Sequence, residues 1–162
     1  MKQLNQQQTD DIIQKLNEVL ELELAGVVRY THYSLMVYGY NRIPIVSWLK
    51  GNATEGLNHA YKAGEMVTML GGHPSLKIGD LLETEKHDIG DILRESLEHE
   101  SRALDAYKEL LELVEHHSVV LEEYAREMIH EEELHLDEVN KMLRKPWGSS
   151  TFQHLKKQSS RH

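Results

Sequence analysis

Glu132 and His135 stand where a helix should continue its apolar stripe. They lie in the stretch IHEEELHLDE, from Ile129 to Glu138, which crowds four glutamates and two histidines together. A spacing of i, i+3 turns both side chains to one face of a helix. That face otherwise reads Leu121, Ala125, Met128, Val139 and Met142. An ionised carboxylate buried alone is costly, so it is neutralised, paired or bound to a cation. Of the remaining polar residues, His130, Glu131, Glu133 and Asp137 are expected to face solvent or a neighbouring subunit.

Stepping by four and three along the chain finds the same interruption twice more. One seam runs Leu16, Leu20, Glu23, Val27, Tyr30, and another runs Leu93, Leu97, Glu100, Leu104, Tyr107, Leu111, Val114. A fourth reads His59, Ala63, Met66, Leu70. Three residues before His59, where a second Glu-x-x-His pair would need its carboxylate, stands Gly56. Glu55 is the nearest carboxylate, about 40° off the His59 direction at about 100° per residue, and a ligand role for it is geometrically open. Each polar residue alone reads more simply as a paired or partly exposed side chain. Together Glu23, His59, Glu100, Glu132 and His135 fall at one level of four seams, which points to a metal.

The chain has no cysteine, so the donors are oxygen and nitrogen. Such donors suit iron or manganese in a redox-capable state, and carboxylates can bridge two ions. Zinc would bind the same groups but, being redox-inert, gives no reason for two matched half-sites. Tyr30 has two readings, as a residue that passes a further electron or as a core aromatic.

Four long helices must carry these residues. The expected spans run from Asp10 to about Tyr38, from near Pro44 to Leu70, from near Asp88 to about His116, and from Ser118 to Leu143. At roughly 25 to 29 residues each is about 40 Å long. Short joints make antiparallel neighbours, whereas the stretch from Gly71 to His87 can run the length of a bundle. Leu76, Ile78, Leu81 and Leu82 are expected to pack along it. The fold expected is all-α, a four-helix bundle with a long crossover between helices two and three, in one domain over residues 1–145. Residues 146–162 form a basic tail, read as a short helix around Phe152 and Leu155 or as disordered.

A chain of 162 residues with 40% hydrophobic residues supports one core. Its net charge of −9 argues against nucleic acid as a partner. No stretch suits a signal peptide or a membrane span, so a cytoplasmic location is expected.

With order, spacing and helix placement in hand, the chain resembles the bacterioferritins of the ferritin-like superfamily from about Leu16 to Met142. The resemblance rests on ELAGVVRY from Glu23 to Tyr30, on NHA at His59 and on LGGHPSLKIGDLL in the crossover. It rests further on LRESLEHE ending at Glu100 and on EELH ending at His135. It implies an all-α ferritin-like fold and a 24-subunit shell that oxidises Fe(II) with dioxygen or peroxide at an intrasubunit di-iron ferroxidase centre and stores a ferric mineral. By position, Glu23 and His59 would be terminal ligands of one iron, Glu132 a bridge, and Glu100 and His135 ligands of the other. Two positions depart. The second bridging glutamate falls on Gly56, unless Glu55 substitutes, and the haem-ligating methionine falls on Leu57, which argues against haem. The alternatives are a small ferritin-like di-metal oxidase or peroxidase without a storage cavity, and a DNA-associated mini-ferritin-like shell using the basic tail.

Overall fold

In the computed structural model, residues 2–81 and 83–146 are described. They form four helices and no strand: α1 Gln6–Met36, α2 Arg42–Met69, α3 Ile89–Val114 and α4 Val119–Leu143. The all-α bundle with a long second connection is the architecture expected from the seams. Leu82 and the proposed helix around Phe152 and Leu155 lie outside the described residues.

Local chemistry explains the helix bounds. α1 starts four residues before Asp10 because Asn5 caps it. The Asn5 side chain accepts from the Gln8 backbone N–H at 2.8 Å, and the Gln8 side chain accepts from the Asn5 N–H at 2.9 Å. This reciprocal pair satisfies two otherwise unbonded donors. Pro44 sits in the first turn of α2, where its missing N–H costs nothing. α2 ends with Gly71 at φ +76°, a left-handed conformation that lets the Gly72 N–H reach the Val67 carbonyl at 2.9 Å. Ser118 caps α4 by accepting from the Leu121 N–H.

α1 packs on both α2 and α3, and α3 packs on α4. Apolar side chains fill the bundle on either side of a polar middle level. One end holds Ile12, Leu16, Val67, Leu110, Val114, Leu121 and Met128. The other holds Val37, Leu49 and Ile92 beside Tyr30 and Tyr33, with Leu93, Leu97 and Val139 nearby. No described helix is long and apolar enough to cross a membrane.

The crossover departs from its expected packing. Leu76 is 95% exposed, and Ile78 and Leu81 are exposed as well. Polar bonds to α1 hold this segment in place of leucine burial. The Gly79 N–H donates to the Glu21 carbonyl at 2.8 Å, and the Ser75 N–H donates to Asn17 Oδ1 at 2.8 Å. Asn17 Nδ2 donates to the His73 carbonyl at 3.1 Å, and Arg29 Nη2 donates to the Asp80 carbonyl at 3.3 Å. With its backbone tied down, the segment keeps its place while its apolar side chains point outward.

α1 and α3 approach closely at Gly26. A Cβ there would stand 3.0 Å from His99 Nε2, and His99 is buried between helices. Alanine would gain about 0.5–1 kcal/mol of helix propensity, but overpacking a core contact costs about 1–3 kcal/mol. Gly26→Ala is therefore expected to lower stability by about 1 kcal/mol net. Thermal unfolding checks it, and a raised Tm would show that the contact is not tight.

Candidate metal centre

All seven candidate site residues line one small cavity: Glu23, Tyr30, Glu55, His59, Glu100, Glu132 and His135. Gly26, Asn52 and Gly56 complete its wall. The cavity measures about 10 Å³, near the volume needed for one water-sized probe. Glu23, His59, Glu100 and Glu132 are buried, whereas Glu55 is half exposed.

Each helix contributes from its mid-length, so the antiparallel packing brings distant residues level. His59, on α2, faces two ways. Its Nδ1 lies 3.5 Å from Glu23 Oε1 and 3.6 Å from Glu132 Oε1, toward the interior. Its Nε2 lies 2.8 Å from Glu131 Oε2 and 3.7 Å from Glu55 Oε1, toward the surface. On the other half, His135 Nε2 is 3.7 Å from Glu100 Oε1. Trp48 stacks on the His135 ring with centroids 5.9 Å apart and planes 3° from parallel, which fixes the ring.

Two tyrosines hold two of the carboxylates. Tyr30 donates to Glu100 Oε1 at 2.6 Å, and Tyr107 donates to Glu23 Oε1 at 2.8 Å. Both are fully packed, so Tyr30 has a defined structural role as the anchor of Glu100. Glu132 Oε2 is buried with no hydrogen-bond partner among the described residues. A buried, unpartnered carboxylate oxygen on a residue that lines a cavity of acids and imidazoles is free to bind a cation.

The electrostatics follow from crowding. Burial, and then the charge of Glu100, push Glu132 well above the usual carboxylate range. Burial also raises Glu23, against the opposing effect of His59. Burial would raise Glu100 too, but its contact with Glu132 and the neighbouring histidines His135 and His99 hold it below its ordinary value. Burial alone would lower His59; Glu23, Glu55 and Glu131 overcome it and carry the imidazole up to about 9. Without a metal, the upward shift of His59 favours its cationic form beside the acids, and the upward shift of Glu132 favours its neutral form.

Glu131 corrects the sequence reading, which turned it toward solvent or a neighbouring subunit. It lies off the α4 seam in sequence, yet its long side chain reaches across to His59 on α2. The usable signal was His59 itself, since a metal-ligating histidine commonly gives its second ring nitrogen to a carboxylate. Two groupings bring one donor atom from each of three residues within 4.8 Å of one another, Glu23 with His59 and Glu132, and Glu55 with His59 and Glu131. Glu55 thus lies on the outer side of His59, and Gly56 leaves the inner wall without a second acid on α2.

A model of the ferritin-like domain matches residues 13–146. No curated protein matches the sequence. Among solved structures, a ferritin-like di-iron-carboxylate protein from Bacillus anthracis str. Ames superposes with a TM-score of 0.81 at 22% identity, covering 87% of this chain and 100% of that one. The bacterioferritin of Desulfovibrio desulfuricans, whose di-iron site was seen in different catalytic states, superposes with a TM-score of 0.74 at 24% identity. That match covers 85% of this chain and 80% of the other. At these identities the likeness is one of fold.

The charge balance makes metal-free stability depend on pH. His59 is raised from 6.5 to about 9 in the folded state, so folding favours its protonated form. Its contribution is fully present below about pH 6.5 and is lost as pH rises through about 9. Unfolding by urea in chelator should show a loss on the order of 2–3 kcal/mol across that window, reduced in His59→Gln. An equal slope in both proteins would assign the effect to another group.

Proposed function

The chain belongs to the ferritin-like family, and from that premise we propose that it is an iron-handling ferroxidase. In this reading the substrates are Fe(II) and dioxygen or peroxide, and the reaction takes place at an intrasubunit di-iron centre. The protein assembles into a 24-subunit shell that stores the ferric product. The observation that carries the reading is the convergence of Glu23, Glu100, Glu132, His59 and His135 on one buried cavity, with Glu132 Oε2 left without a partner.

The residues fit iron. Three carboxylates and two imidazoles, with no thiolate, are a donor set for redox-capable first-row metals. Two Fe(II) ions held there would supply one electron each, enough to reduce dioxygen to hydrogen peroxide or hydrogen peroxide to water. Glu23 and His59 would hold one ion, Glu100 and His135 the other, and Glu132 would lie between them. Tyr107 and Tyr30 keep the Glu23 and Glu100 carboxylates oriented by donating to one oxygen of each. Trp48 restrains His135 by stacking. Glu131 orients His59 by accepting at its outer nitrogen, which leaves Nδ1 as the inner donor. The apolar layers on both sides limit water at the centre.

A second reading, a small di-metal oxidase or peroxidase without a storage cavity, is favoured by Gly56. That glycine stands where the bacterioferritin pattern has a second bridging carboxylate, so the two half-sites are unequal. Size separates the readings, because a dimer encloses no mineral.

Aerobic addition of Fe(II) to the apoprotein should accelerate its oxidation, and the assembly should elute near the void on sizing. Glu132→Ala should slow the reaction by at least about tenfold, since loss of even an outer partner of a metal ligand costs about 10- to 100-fold. An unchanged rate in Glu132→Ala would overturn the site assignment. Glu131→Gln should weaken Fe(II) affinity by about tenfold, with the other half-site intact. Anaerobic Fe(II) titration measures this, and an unchanged affinity would remove Glu131 from the site.

A further inference from the structure

We propose that His32, Glu83 and His87 form a second metal site, separate from the buried centre, for one divalent transition-metal ion that binds imidazole and carboxylate. The site joins α1 to the crossover. None of its three residues lines the central cavity.

The donor atoms already face one another. His32 Nε2 and His87 Nε2 are 3.1 Å apart. Glu83 Oε2 is 3.5 Å from the first, and Glu83 Oε1 is 3.9 Å from the second. Two imidazole nitrogens at this distance share one hydrogen, since two lone pairs facing each other repel. A cation placed about 2.05 Å from both would subtend an angle of about 98°, between octahedral and tetrahedral values. The hydrogen can therefore be replaced by an ion with little ring movement. Two histidines and one carboxylate leave coordination positions open to water, as in three-ligand metal sites.

The surroundings hold the donors before any ion binds. Thr84, next to Glu83, donates its hydroxyl to Glu95 on α3. Glu95 also accepts from the Tyr33 hydroxyl at 2.7 Å, and Arg29 donates to that hydroxyl at 3.2 Å. Arg29 in turn holds the Asp80 carbonyl. The crossover is thus pinned on both sides of Glu83, while His87 directly precedes the Asp88 cap of α3. The residues border a cavity of about 200 Å³ walled by Val28, Leu81 and Glu95. His32 is 41% and Glu83 56% exposed at the side chain, which gives an ion a path from solvent. A bound ion would clasp the crossover to α1 where leucine packing does not.

Zn(II) serves as the probe, counted per chain by equilibrium dialysis of the assembled protein. The His32→Gln/His87→Gln double variant should bind one ion fewer than the wild type, or bind it at least about tenfold more weakly. The Glu100→Gln/Glu132→Gln variant should keep that ion. Zinc should also slow amide exchange over residues 80–88 in the wild type and not in the histidine variant. Far-UV circular dichroism checks that both variants fold, and Glu83→Ala offers a third test through an exposed residue. Equal zinc counts and affinities in the wild type and the histidine variant would overturn the proposal, as would loss of this ion on changing Glu100 and Glu132. Fe(II) oxidation at the buried centre is measured independently, so failure of that function and failure of this site are distinguishable.

Discussion

Three carboxylates placed inside a helical bundle need positive charge beside them, and much of the surrounding structure serves that need. Desolvation penalises each ionised acid, and their mutual repulsion adds to the penalty. The protein meets it with two imidazoles, with hydroxyl donors from Tyr30 and Tyr107, and with a carboxyl at Glu132 whose burial and neighbouring acids favour the neutral form. Helix spacing is part of the same solution. Gly26 lets His99 come close to α1, and His99 sits next to Glu100 in sequence. The central level is costly to fold, and the apolar layers above and below it offset that cost by burial.

Much of this was legible in the sequence because helical periodicity assigns directions to side chains. Glu23, Tyr30, His59, Glu100, Glu132 and His135 were found by asking where the apolar seam breaks, and the bundle brings all of them to one cavity. Glu55 was found by proximity alone, and it reaches the outer nitrogen of His59. Glu131 was missed because a seam describes where a Cβ points and not how far a flexible side chain reaches. Its partner lies on another helix, 72 positions away, and no local pattern encodes that pairing.

The crossover was the least legible segment for a related reason. Its leucines and isoleucine suggested burial, but its position is set by backbone donors and by Asn17, an unremarkable polar residue on α1. Extended segments obey no helical period, so hydrophobicity there says little about orientation. The same segment supplies Glu83 and His87 opposite His32, a grouping visible only when α1 and the crossover lie side by side.

Gly56 carries a consequence for how such a centre can change over time. A Cβ at this position would meet the Glu23 carbonyl and a Val27 methyl at 3.4 Å, the edge of ordinary van der Waals contact. The backbones of α1 and α2 therefore do not forbid a side chain there. The acid missing from the inner wall on α2 is therefore a matter of one residue, and glycine and glutamate codons can differ by one base. A single-base change could thus place a short side chain at this level without moving the helices, whereas a longer acid would have to find its room in a cavity of about 10 Å³.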